Sequence, residues 1–209
     1  MTKTSPMTVD RQLGPWGDAA VHGVEFDGTH LWVALGDALE AVDPATGETV
    51  RRLEIAADAG TTSDGRHLYQ LADTHIYKLD PETGEILAKL PAPGGGQDSG
   101  LTWAEGKLWV GQYRARKIHC IDAETGELLR TIESDRFVTG VTWTHGELWH
   151  ATLEEDQSEL RRIDPRTGEV LERHDAPDGV RISGLAADGD TFYGGGGGTG
   201  RVRVLRRGA

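Results

Sequence analysis

His22 and Glu25 stand three residues apart near the start of the chain, and both depart from related positions further along. Four other segments carry Ala59, Ser99, Thr139 and Ser183 where His22 stands, and Thr62, Thr102, Thr142 and Ala186 where Glu25 stands. His150 follows Trp149, at a position where its counterparts are Val33, Gln70, Val110 and Gly194. Two imidazoles and a carboxylate suit acid–base chemistry, because histidine titrates near neutral pH and a carboxylate can take up and return a proton. With Asp98 added, His22, Glu25 and His150 also make a candidate donor set for a divalent metal ion. Two imidazole donors fit Zn²⁺, Mn²⁺ or Ni²⁺ better than Ca²⁺. Arg136 and Arg181 are candidates to hold an anionic substrate through paired N–H donors. Trp16, Gln97 and Tyr113 complete the candidate substrate contacts, with Trp16 as a stacking wall. Each has a structural alternative: a hydrogen-bonded histidine, an arginine paired with a neighbouring glutamate, or, for Glu154-Glu155-Asp156, a solvated acidic loop.

The elements that must position these residues follow from a repeat. Glycines lead five related units at Gly23, Gly60, Gly100, Gly140 and Gly184, 37, 40, 40 and 44 residues apart. About five residues later each unit has a second pair: Asp27-Gly28, Asp64-Gly65, Glu105-Gly106, His145-Gly146 and Asp188-Gly189. An aromatic strand follows, as in Leu31-Trp32, Leu68-Tyr69, Leu108-Trp109, Leu148-Trp149 and Phe192-Tyr193. Four units close on another turn, from Asp43 to Gly47, Asp80 to Gly84, Asp122 to Gly126 and Asp164 to Gly168. Between these turns the apolar residues alternate with period 2, the mark of strands rather than helices. Imperfect copies at about 40 residues, each broken by turn signals, predict propeller blades.

The expected fold is therefore all-β: a five-bladed β-propeller of four-stranded antiparallel blades in a single domain. The blades are placed at about 19–57, 58–95, 96–135, 136–178 and 179–209. The last unit lacks its outer strand, and residues 7–13, ahead of the first unit, are expected to supply it and close the ring. In this topology the A–B and C–D turns share one face, and the D–A and B–C loops share the other, around the channel mouth. The first set is short and stereotyped. The second set varies and holds Trp16, Gln97, Tyr113, Arg136, Arg181 and the run Gly194 to Gly198, so function is expected there.

Composition narrows the classes. The 209 residues carry 22 Lys+Arg against 34 Asp+Glu, a net charge of −12, which argues against nucleic acid and anionic membrane as partners. No apolar run approaches a membrane span. The single Cys120 cannot form an internal disulfide, and with no secretory h-region at the start the expected location is the cytoplasm.

The stretch Gly106-Lys107-Leu108-Trp109-Val110, with Ile118 to Leu128 after it, resembles bacterial five-bladed propellers of the glutamine cyclotransferase type. It is also similar to virginiamycin B lyase-type and other quinoprotein-like propeller repeats. The cyclotransferase resemblance implies an Asn-Glu-Leu-Glu signature on an inner strand; this chain reads Ser99-Gly100-Leu101-Thr102 there. The lyase resemblance implies a His/Glu pair and a divalent cation, which His22, Glu25 or His150 would meet. Three functions follow. The first, and preferred, is a small-molecule enzyme using His22, Glu25 and His150 in acid–base chemistry at the channel mouth, cyclotransferase-like or lyase-like. The second is a metal-dependent lyase or hydrolase, the only reading that calls for a cofactor. The third is a non-catalytic propeller that binds a ligand or a protein.

Overall fold

The computed structural model describes residues 3–208, which form strands, turns and no helix. Three sheets are four-stranded antiparallel meanders. One holds β2 (Gly23–Phe26), β3 (Leu31–Ala34), β4 (Leu39–Val42) and β5 (Thr49–Leu53). The next holds β6 (Thr61–Ser63), β7 (Leu68–Ala72), β8 (His75–Leu79) and β9 (Ile86–Pro91), and the third β10 (Asp98–Ala104), β11 (Lys107–Gln112), β12 (Lys117–Asp122) and β13 (Leu128–Glu133). The fourth sheet has eight strands. One half is β14 (Phe137–Thr144), β15 (Glu147–Glu154), β16 (Gln157–Ile163) and β17 (Val170–Asp175). The other is β18 (Gly184–Asp188), β19 (Thr191–Gly195), β20 (Val202–Arg207) and β1 (Lys3–Leu13). This all-β arrangement is a β-propeller.

The leading glycines explain how the sheets meet. Inner strands β2, β6, β10, β14 and β18 contact one another in turn, and β18 contacts β2, so the ring closes. At each step glycine faces the next strand's backbone. A Cβ on Gly60 would stand 2.5 Å from Leu101 N, on Gly100 2.6 Å from Val141 N, and on Gly140 2.7 Å from Leu185 N. On Gly184 it would stand 3.0 Å from Gly23 Cα, and on Gly23 3.0 Å from Gly60 Cα. Any side chain at these positions would push the inner strands apart.

The other repeated turns tie neighbouring sheets together. In Asp43–Gly47 the Asp43 carboxylate accepts N–H bonds from Ala45 and Thr46, and Gly47 takes φ +78°. The turns at Asp80, Asp122 and Asp164 repeat the carboxylate bonds. Each turn glycine rests on the preceding unit's outer strand: Gly84 on Leu53, Gly126 on Leu90 and Pro91, Gly168 on Ile132. Arginines fasten three of these joints to turn carbonyls, Arg51 to Pro81, Arg130 to Pro165, and Arg11 of β1 to Pro44 and Ala45. Apolar clusters fill the gaps between sheets, with Trp32, Trp149 and Phe192 among the largest buried side chains. Cys120 is buried in one of them, beside Trp109 and Ile118.

β1 pairs antiparallel with β20 along Met7–Leu13, the stretch expected to supply the missing outer strand, with a bulge between Val9 and Arg11. Its first residues do something the repeat did not suggest. Lys3 to Pro6 pair in parallel with β17, and the Ser5 hydroxyl bonds His174 Nδ1 at 2.9 Å, joining two four-strand units into one sheet. Removing residues 1–13 strips β20 and β17 of a partner and uncovers the buried Met7 and Leu13 sites. We expect the melting temperature to fall by at least about 10 °C. Differential scanning calorimetry checks this, and an unchanged midpoint overturns the closure.

Candidate functional site

The mouth of the ring opens into a cavity of about 580 Å³. Its wall comes from the loops and strand ends expected to carry function: Tyr113, Leu153, Gly179, Arg181 and Gly196 to Thr199, with Ser99, Thr139, Ile182, Ser183 and Arg203 behind them. Tyr113 is held flat by stacking on Phe137, ring centroids 4.8 Å apart, and Arg116 covers the other ring at 4.3 Å. Three hydroxyls serve the backbone: Ser99 donates to Val138 O at 2.8 Å, Ser183 to Val21 O at 3.0 Å and Thr199 to Gly196 O at 2.9 Å. Thr139 Oγ1 is buried and has no hydrogen-bond partner among the described residues. Among the described residues no Asp, Glu, His or Lys lines the cavity.

Tyr113 and Arg181, expected on this wall, are on it, with Arg181 at the rim and paired to Asp156 at 2.5 Å. The structure places the other candidate residues as follows. Glu25 is shut into the ring: its Oε1 accepts from Thr62 Oγ1 at 3.0 Å and Ser63 N at 3.1 Å. Burial pushes its pKa up to about 8 against those two bonds, so at neutral pH it is largely a neutral acid. His150 lies in a separate cavity of about 230 Å³ between sheets, with Ile118, Ile132, Asp135 and Arg161. Burial, with the Arg161 charge beside it, pulls its pKa down to about 3. That ring is neutral over the working pH range and away from the mouth. His22 lies against Gly36, where a Cβ would stand 3.5 Å from its Nε2, and it is not one of the residues that line the mouth cavity.

The expected acid–base trio is therefore dispersed. Strand register accounts for it: a residue that breaks the repeat is located along a strand, but its neighbours decide what it faces. The four residues of the candidate metal set are likewise not brought together. Asp98 turns back to accept the Gly94 N–H at 2.9 Å and lines a third cavity, and the described residues contain no group of three His, Cys, Asp or Glu able to hold a metal ion. The residues present do not fit a divalent cation. Arg136 is committed to Gln157 O at 2.7 Å and Glu159 at 3.1 Å, which braces the β15–β16 hairpin. Glu154 pairs with Arg116 at 3.0 Å, so the acidic loop holds arginines in place. Gln97 is exposed in the turn after Gly94, and Trp16 packs on the Leu13–Val202 cluster, both outside the mouth wall.

The family model for outer membrane protein assembly factor BamB matches residues 72–209, more than half of the chain. The chain belongs to this family. No curated protein matches it. Among solved structures the BamB-family chain is similar to a glutaminyl cyclase from Myxococcus xanthus, at 16% identity and a TM-score of 0.80, covering 99% of this chain and 98% of that one. It is similar to virginiamycin B lyase from Staphylococcus aureus at 17% identity and a TM-score of 0.57, over 92% of this chain and 68% of that one. The WD40 propeller domain of Doa1 gives 14% identity and a TM-score of 0.59, over 88% and 63%. At these identities the likeness speaks for the fold, which many unrelated chemistries share.

Within this BamB-family propeller, Thr139, Ser183 and Arg203 are among the wall residues that reading the sequence missed. Thr139 and Ser183 were visible as the positions before the leading glycines, where His22 drew attention instead. Arg203 lies in β20 between Val202 and Val204 and reads as an ordinary strand residue. A usable signal lay in the Gly194–Gly198 run: a Cβ on Gly196 would stand 2.6 Å from Arg203 Nη1, so glycine there makes room for the guanidinium.

Proposed function

We propose that this chain is a five-bladed propeller that binds a small organic molecule in its mouth cavity. The blade count is supported by the five inner strands that close the ring, each with a glycine against the next. The observation that carries the ligand reading is Thr139 Oγ1, a buried hydroxyl with no partner among the described residues, on the wall of a cavity of about 580 Å³. Buried polar groups are nearly always bonded, and an unpaired one costs about 1–3 kcal/mol, so a ligand that bonds it recovers that cost. The cavity's size and its mix of apolar walls with a few polar groups suit a small molecule.

Binding ranks ahead of proton-transfer catalysis because the described residues of the wall include no carboxylate, imidazole or amine. A second reading, cyclisation of an N-terminal glutamine, is favoured by the near-complete overlap with the Myxococcus xanthus glutaminyl cyclase. It is tested by ammonia release from a peptide with N-terminal glutamine.

The binding reading is tested with a library of small molecules, read by shifts in melting temperature. Hits should appear with the native chain and vanish in Leu153→Trp, which fills the half-buried mouth position. Thr139→Val should raise the melting temperature of the free protein, worth about 1 kcal/mol, while weakening the hits several-fold. Finding no hits, or hits that survive Leu153→Trp unchanged, overturns the reading.

A further inference from the structure

The buried arginines of this molecule are treated unequally. Arg161 is 5% exposed and is paired with both Glu159, at 2.7 Å, and Asp135. Arg203 is 8% exposed and forms no ion pair among the described residues. Among the described residues its one side-chain hydrogen bond is from Nη1 to Arg181 O at 3.1 Å. A buried cation without a counter-charge is expensive and persists where something else repays it. Arg203 lines the mouth cavity, the same space that holds the unpartnered Thr139 hydroxyl.

We propose that the mouth cavity is a carboxylate site, in which Arg203 pairs with the carboxylate of an organic acid and the apolar part of that acid lies on Tyr113, Leu153 and Ile182. This rests on the reading of the cavity as a ligand site and names its ligand class. A planar guanidinium presents paired N–H donors that match the two oxygens of a carboxylate. Arg181 at the rim is already balanced by Asp156, so Arg203 is the cation left for the ligand. The protein carries a net charge of −12, yet among the described residues this wall holds two arginines and no acidic side chain. The cavity is thus a local positive pocket that draws anions through an otherwise repelling surface. Three-carbon and longer acids suit it better than inorganic anions, because much of the wall is hydrocarbon.

The test is a calorimetric titration of the whole chain with hexanoate and 3-phenylpropionate, each beside its uncharged amide, at low ionic strength. The acids should bind at least tenfold more tightly than the amides. Arg203→Gln should bring the acids down to the amide level and leave the amides unchanged, with Arg203→Lys between. Circular dichroism melts of both variants confirm that they fold, and the Lys variant keeps the test open if the Gln variant does not. Phenyl phosphate in parallel separates head groups: binding tighter than the carboxylates overturns the carboxylate assignment. Equal affinity for acid and amide, or acid binding untouched in Arg203→Gln, overturns the anion assignment and leaves the cavity reading standing. If neither acids nor amides bind, the carboxylate assignment falls, and the small-molecule library decides the cavity reading separately.

Discussion

Glu25→Gln makes the protein more stable than the native chain at pH 9 and removes a large part of its loss of stability with rising pH. In the folded state the Glu25 carboxyl is pushed up to about 8, chiefly by burial, from an ordinary value near 4.5. A raised carboxyl pKa means that the folded chain holds this proton more tightly than the unfolded chain does. Its contribution is therefore complete below about pH 4.5 and is lost as pH climbs through 8. The whole window is worth about 3–5 kcal/mol. Glutamine keeps an oxygen for Thr62 and for the Ser63 N–H but cannot ionise. Urea unfolding of both chains at half-unit steps from pH 5 to 9 measures the effect. Near pH 5 the two should be close, and at pH 9 the variant should lead. Parallel curves across the range would show that Glu25 ionises freely in the folded protein.

Gly100→Ala is expected to be among the most damaging single-methyl changes available in this fold. The new Cβ would stand 2.6 Å from Val141 N and 2.7 Å from Gly140 Cα, both backbone atoms of the adjoining inner strand. No rotamer can relieve a clash between main chains. The ring must open at that joint, and because it closes on itself the displacement passes to every other joint. A cost of about 3 kcal/mol or more follows, at the upper end for overpacking. The control is Gly198→Ala, where a Cβ meets nothing within 4 Å. Its melting temperature should match the native chain within a degree or two, whereas Gly100→Ala should melt far lower or fail to accumulate as soluble protein. Equal melting of the two variants would contradict the close-packed ring.

These two residues also mark how much the sequence disclosed. Gly100 was legible because it recurs: five leading glycines at near-constant spacing have one cause, and the ring of close contacts is that cause. The Asp-to-Gly turns were legible for the same reason, since a carboxylate that bonds two N–H groups and a left-handed glycine are chemistry local to five residues. Tyr113 and Arg181 could be placed at the mouth because topology alone assigns their loops to that face. Glu25 and His150 could not be understood this way. Each stood out from its repeat, but the partners that define them, Thr62 and Ser63 for one and Arg161 and Asp135 for the other, come from different strands. Arg203 shows the converse. Nothing in its own strand marks it, and its meaning lies in a carboxylate that no neighbour provides. Repetition reveals scaffolding, whereas a site is built from departures that converge only in three dimensions.

The pairing of β1 with β20 has a consequence for synthesis. Met7 and Arg207, partners in the finished sheet, are separated by nearly the whole described chain. At about 5–20 residues per second, β1 leaves the ribosome on the order of ten seconds or more before the strand it pairs with. Its other partner, β17, is also made late. Through that interval the units after β1 can assemble one on another, each new blade resting on the last, while β1 waits with its hydrogen-bonding edges open. Closure of the ring thus waits for β20, and until that strand is made β1 is the element open to mispairing.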